Sequence, residues 1–355
     1  MQSQPLPASV TPGNSAEVGQ EPTSNRVEFI KTMGRLGKLT LLLGALWGLY
    51  YALHMGFPYI RNATDLIYEA KLEHAIRHPL FRDGVPCRVL ILGHSQILSG
   101  FQPDRFDALA GTQVASYNMG LPDERRFVDN LEKLLASGQR PTHVFITCSW
   151  QPDRHSTRGI FNFIESDTEF LQAVFPFRRM PRDFVLFLLR ARGHGGVAAN
   201  YKYARKSVDD VVRDRGYYFI EGQSHYPGDR IPEDFRAAAD NPNFVATREV
   251  RPEGQEFKRL MAMADKYDFQ LYFVPVYGRP GQFAVPPVQN DETARAIKPY
   301  PRLHLLGPDY WIYPRRNFSD QLHVNRDGAA KFTEDLYQLT RGVLPPSAAS
   351  GTTVP

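Results

Sequence analysis

Arg88-Val89-Leu90-Ile91-Leu92-Gly93, running on into His94-Ser95-Gln96, is the stretch on which the fold turns. Four apolar residues stand in a row with no polar alternation, and a glycine closes the run. A short continuous apolar run of this kind reads as a strand buried on both faces, as in parallel sheets covered by helices on either side. Working outward, four more runs read as strands: Gln113 to Tyr117, His143 to Thr147, Gln270 to Val276, and Leu303 to Leu306. Helical patterns lie between them. Glu124 to Ser137 carries Phe127, Val128, Leu131, Leu134 and Leu135 on one face, and Glu253 to Tyr267 carries Phe257, Leu260, Met261 and Ala264. A last helix is predicted from Arg326 to Arg341, and one from Asn62 to His78 leads into the domain. Strands alternating with helices predict an α/β fold built on a doubly wound, flavodoxin-like, five-stranded parallel sheet of order 2-1-3-4-5. Such sheets bind ligands at the carboxyl ends of their strands. Ser95 follows the first strand at that end.

The chain of 355 residues, 42% hydrophobic, is long enough for one large domain with an insertion. The net charge of +4 is not gathered into a basic stripe, which argues against a nucleic-acid partner. The two cysteines, Cys87 and Cys148, fall at opposite ends of their predicted strands, so no disulfide is expected. His155, His194 and His225 lack metal-ligand spacing with acidic or cysteine partners, so neither a metal nor another cofactor is expected.

Near the N-terminus, Leu39 to Phe57 carries no full charge. A helix needs about 20 mostly apolar residues to cross the hydrocarbon. Arg26, Lys31, Arg35 and Lys38 precede the run, which orients the N-terminus to the cytoplasm and the rest outside. A cleaved signal peptide and a buried core helix are the alternatives. Tyr51-Ala52-Leu53-His54 makes a poor cleavage site. The resulting division is a disordered tail over 1–35, a transmembrane helix over 36–58, a membrane-proximal helix over 59–86, a domain over 87–343 and a disordered tail over 344–355. The stretch 151–251 breaks the strand–helix alternation and reads as an inserted helical lid. Within it, Thr168 to Arg192 is aromatic-rich, interrupted by Pro176 and Pro181, and biased by Arg178, Arg179, Arg182, Arg190 and Arg192. A charged segment follows from Tyr201 to Gly216.

Two motifs carry chemistry. A serine after a strand lies where backbone N–H groups can face an oxyanion, although serines also cap helices. Asp320-Gln321-Leu322-His323 stands just before the last helix. A carboxylate three positions before an imidazole can orient it as a base for a serine, or the four residues can be an ordinary polar loop. In a 2-1-3-4-5 sheet both motifs reach the same mouth.

Together they resemble the SGNH (GDSL-type) hydrolase superfamily. Gly93-His94-Ser95 is similar to its Gly-Asp-Ser block, with His94 in place of Asp. Asn118-Met119-Gly120-Leu121-Pro122 resembles the second block, and Asp320-Gln321-Leu322-His323-Val324-Asn325 the last. The resemblance implies Ser95 as nucleophile, His323 as base and Asp320 as its orienter, with the N–H groups of Ser95 and Gly120 at the oxyanion. The third block departs: Ile146-Thr147-Cys148-Ser149-Trp150 has no asparagine where the family places an oxyanion donor. Either Ser149 or Asn118 supplies that donor, or the rate falls by the roughly 10²–10³ that one donor is worth. Tyr277 and Arg279 follow the fourth strand, where they would touch substrate, Arg279 either holding an anion or forming a salt bridge.

The anchored architecture is similar to that of D-alanyl transfer proteins and polysaccharide O-acetylation accessory proteins. That likeness implies a periplasmic or extracellular serine esterase or O-acyltransferase. Its partners would be an acylated polysaccharide or envelope polymer and a membrane-bound O-acyltransferase. The alternative is a catalytically weak module of the same fold that binds a glycan or such an acyltransferase.

Overall fold

A computed structural model describes residues 23–121, 127–147, 169–219, 224, 226–244, 250, 252–284 and 291–346. The chain divides into two compact units, Met1–Pro58 with Glu169–Phe177, and Tyr59–Thr168 with Arg178–Pro355.

The first unit is built on α1 (Thr23–Gly56). Its stretch Lys31–Gly56 has a mean hydropathy of 1.4 and is long and apolar enough to cross a membrane. None of that window is buried, which removes the core-helix alternative. The helix starts earlier than expected, so residues 23–35 are not part of a disordered tail. Arg26, Lys31, Arg35 and Lys38 are good helix formers, and no proline interrupts them. A short helix, α6 (Glu169–Val174), belongs to this unit. The Trp47 indole N–H donates to Val174 O at 2.8 Å, and the Phe177 ring stacks 5.8 Å from that of Tyr50.

The second unit holds a five-stranded parallel sheet of order β2-β1-β3-β4-β6. Its strands are β1 (Cys87–Gly93), β2 (Val114–Gly120), β3 (His143–Ile146), β4 (Gln270–Phe273) and β6 (Leu303–Leu305). All five expected strands are present, and every pairing between them is parallel. The expected fourth strand is split. Pro275 has no N–H to give a ladder, so β4 stops and β5 (Val276–Gly278) pairs instead with β7 (Tyr310–Ile312) in a separate two-stranded ladder. The continuous apolar run of β1 serves two cores. Leu90 and Leu92 join Tyr117, Val144, Leu271 and helices α5 (Phe127–Ala136) and α9 (Gln255–Tyr267). Val89 and Ile91 join Phe145, Tyr272 and helices α4 (Pro103–Ala110) and α11 (Arg326–Thr340).

Three boundaries move. The membrane-proximal helix α2 (Ala63–Arg77) is not a separate element between span and domain. It is part of the second unit, with Ile67, Lys71 and Ala75 buried along one stripe. The domain does not end at 343 either: Leu344 is buried, and Val343 O accepts from His143 Nε2. Inside the insertion, Pro176 ends α6, whereas Pro181 sits in the first turn of α7 (Met180–Gly193), where a missing N–H costs nothing. The charged segment is α8 (Val197–Arg213). The described parts of the insertion pack in two places: on the loop that carries Asp320 and His323, where Ser224 Oγ donates to Ser319 O and Ile231 N–H to Phe318 O, and along the open edge of β2. Asn118 N–H donates to Arg215 O, and Arg215 Nη1 donates to Ser116 O. Cys87 is a buried free thiol, whereas Cys148 and the expectation about its pairing lie outside the described residues.

Candidate active site

β1 delivers Gly93 to the carboxyl edge of the sheet, and α3 (Ser95–Gly100) begins two residues later. His94 caps that helix, its Nδ1 accepting from Gln96 N–H at 3.2 Å. Gly93 is needed for space rather than for an unusual turn. A Cβ there would lie 2.3 Å from Thr147 Oγ1 and 2.5 Å from Ile97 Cγ1. Ser95 thus occupies the first turn of α3, half-buried.

From the other end of the chain, the loop before α11 brings Asp320 and His323 to the same edge. Asn325 caps α11 by accepting from Gly328 N–H at 3.0 Å, which fixes where the loop stops. Within the loop, Asp320 Oδ1 accepts the N–H groups of Leu322 (2.7 Å) and His323 (2.8 Å). Its Oδ2 lies 2.8 Å from His323 Nδ1, and His323 Nε2 lies 2.9 Å from Ser95 Oγ. Asp320, His323 and Ser95 therefore form one continuous hydrogen-bonded relay across 228 positions of sequence. Burial pushes the Asp320 carboxyl up, but the hydrogen bonds from the His323 ring and the two backbone N–H groups outweigh it. They hold the group below the ordinary carboxylate value. A carboxylate only accepts, so Nδ1 carries the ring proton and Nε2 is left to accept from the Ser95 hydroxyl. Burial, with the adjacent charge of His323 second, pushes His94 down to about 4. His94 is thus neutral at physiological pH, as its capping role requires.

The second motif has a different fate. Asn118 is fully buried; its Nδ2 donates to Ile97 O and Phe101 O, both at 2.7 Å. Its Oδ1 accepts Gly120 N–H at 2.8 Å. Asn118 and Gly120 are therefore corrected: both expected oxyanion donors are spent on fixing α3 against β2. Gly120 must be glycine because a Cβ would come within 2.3 Å of the Leu98 backbone nitrogen. The Ser95 N–H lies in the first turn of α3. Ser149 lies outside the described residues.

Tyr277 and Arg279 are corrected as well. Both are buried and neither faces a substrate. Tyr277 OH donates to Gln96 O at 2.6 Å, and burial pushes its phenol pKa up. Arg279 forms a two-pronged pair with Asp240 at 2.7 and 2.5 Å, lies over the Phe235 ring, and donates from Nε to Gln321 O at 3.0 Å. Of the two readings of Arg279, the salt bridge holds, with an internal partner. Asp240 is held below the ordinary carboxylate value chiefly by that hydrogen bond from Arg279.

The residues that sequence reasoning missed are those that join the two motifs. Gln96 Nε2 donates to Tyr277 O (2.9 Å) and Leu322 O (3.2 Å), so it ties the helix of Ser95 to the loop of His323. Lys71 is wholly buried and donates to Gly120 O (2.6 Å) and Gly216 O (2.8 Å), and burial pushes its pKa well down. A lysine inside the Ile67–Lys71–Ala75 stripe was the one visible signal; nothing in sequence singled out Asp240. Among the described residues no group of His, Cys, Asp and Glu could hold a metal ion. Comparison of the chain with family models, with curated proteins and with solved structures finds no match.

Proposed function

We propose that this chain is a membrane-anchored serine acyl-hydrolase or O-acyltransferase of the SGNH type, acting outside the cytoplasm. The observation that carries the reading is the unbroken relay from Asp320 through His323 to Ser95 Oγ. In the proposed step Ser95 Oγ forms a bond to the carbonyl carbon of an ester or thioester. His323 Nε2 takes the hydroxyl proton and returns it to the leaving alcohol or thiol as the old bond breaks. Asp320 keeps the imidazole in one tautomer and stabilises the transient imidazolium. Water or a polymer hydroxyl then attacks the acyl-serine, giving hydrolysis or transfer. The sheet order and the helices on both faces fit the doubly wound arrangement that such a site needs.

The substrate class we infer is an acylated cell-surface or exported polysaccharide, with a membrane-bound O-acyltransferase as partner. Support for this part is the apolar helix Lys31–Gly56 together with the basic residues before it. The test is labelling with a fluorophosphonate, read by intact mass. Wild type gains one adduct and Ser95→Ala none. Absence of an adduct on wild type in a folded sample rejects the enzyme reading.

The commitment of Asn118 and Gly120 favours a second reading, a catalytically weak module of the same fold that binds a glycan or an acyltransferase. Under it, Ser95→Ala restores full function to a deletion strain.

A further inference from the structure

We propose that the outward face of α7 docks on the surface of a lipid bilayer that carries anionic phospholipid. The inference goes beyond the chemistry at Ser95 and rests only on the reading of α1 as a membrane span.

A helix of a soluble domain normally turns its apolar stripe inward. α7 buries only a narrow stripe, Asp183, Phe187 and Ala191, spaced i, i+4, i+8. Besides the exposed Arg182 and Gly193, it turns outward a wider face of Pro181, Phe184, Val185, Leu188, Leu189 and Arg192, spaced i, i+3, i+4, i+7, i+8, i+11. Phe184 is 46% exposed, Val185 57%, Leu188 40% and Leu189 55%. The orientation is fixed, not a helix loosely laid down. The buried Asp183 pairs with the exposed Arg182 at 3.0 Å, and Asn200 Nδ2 donates to Phe187 O at 3.1 Å.

Charge chooses the occupant. Arg178, Arg179 and Arg182 stand at one end of the apolar stripe and Arg190 and Arg192 at the other; Asp183 and Asp65, which pair with Arg182 and with Arg179 and Arg182, offset part of that charge and leave the stripe's ends net positive. Apolar side chains flanked by arginines match the boundary between acyl chains and phosphates, where long cationic side chains reach back to the headgroups.

The chain's covalent reach permits the face to meet that surface. Arg190 Nη2 donates to Asn62 Oδ1 at 2.6 Å, and Arg182 pairs with Asp65 at 3.1 Å. Asn62 lies six residues beyond Gly56, the end of the apolar helix, a reach of at most about 22 Å. On the other side of α7, Phe177 packs on Tyr50 and Trp47, residue types that favour the membrane interface, three positions before Met180.

The test uses the full chain carrying Cys148→Ser, since Cys87 is buried. It is reconstituted in phosphatidylcholine nanodiscs with and without phosphatidylglycerol. Nitroxides are placed in turn at Leu189→Cys, at Leu42→Cys on α1 and at exposed Lys202→Cys on α8, and their relative accessibility to oxygen and to a water-soluble nickel chelate is measured. Docking predicts an oxygen-dominated signal at 189 as at 42, water-like behaviour at 202, and a deeper position at 189 when phosphatidylglycerol is present. Val185→Cys repeats the measurement should Leu189→Cys fold poorly. A water-like signal at 189 beside a lipid-like one at 42 overturns the docking and leaves the anchor standing. A water-like signal at 42 overturns the anchor, and docking with it. A face at 189 that is wet in lipid alone and dries only beside a co-reconstituted membrane protein also overturns the lipid assignment.

Discussion

The corner formed by Ser95 and His323 and the corner formed by Asn118 and Gly120 lie side by side at the same sheet edge, and both read as functional motifs in sequence. They differ in what their polar atoms have left to give. Ser95 and His323 are half-exposed, and the serine hydroxyl meets an imidazole that can take its proton. Asn118 is sealed, with donor and acceptor ends both occupied by backbone. A buried polar group that is fully bonded holds a fold together; one with a movable proton and access to solvent can do chemistry. The contrast assigns architecture to the second corner and is the ground on which the proposed chemistry is placed at the first.

Substitutions can break that contrast. The largest expected effect is at the first corner: Ser95→Ala removes fluorophosphonate labelling entirely, with the circular-dichroism spectrum unchanged. Asp320→Asn keeps the loop but offers the imidazole the wrong partner, and labelling slows by about 10⁴-fold. At the second corner the sign of the experiment reverses. Asn118→Ala leaves Phe101 O and the Gly120 N–H without the partner that Asn118 supplies, whereas Ile97 O keeps the Phe101 N–H. At about 1–3 kcal/mol each, urea denaturation shows a loss of roughly 2–5 kcal/mol. A stable Asn118→Ala protein with a 10²–10³-fold slower labelling rate would return that residue to the oxyanion.

Between the two corners stands His94, whose folded pKa of about 4 lies below its ordinary 6.5. The unfolded chain therefore binds the extra proton first as pH falls, and the folded state loses stability between about pH 6.5 and pH 4. The full difference is at most about 3 kcal/mol. Above pH 6.5 the contribution is complete. Urea denaturation across this range checks it, and His94→Asn flattens the slope. A slope that persists in His94→Asn assigns the effect to another group.

The five strands, helices α2, α5, α9 and α11 and the two motifs at Ser95 and Asp320–His323 were legible in sequence because each rests on local rules: run length, periodicity and residue type beside a turn. Pro275 was legible too, yet its consequence was not, because the partner that rescued the strand, β7, is far along the chain. Tyr277 and Arg279 show the same limit. They were expected to follow the fourth strand at the open end of the sheet, but Tyr277 lies within β5 of the separate ladder and both side chains are buried. Burial depends on Gln96, Asp240 and Gln321, which no spacing connects to them.

The order of residues along this chain was enough to specify an apolar helix, a parallel sheet and a serine and histidine at one edge of it. Only three-dimensional packing decided which polar side chains keep a free atom. A side chain's periodicity is written in its neighbours in sequence, whereas its hydrogen-bond partners and solvent access come from segments that meet after folding.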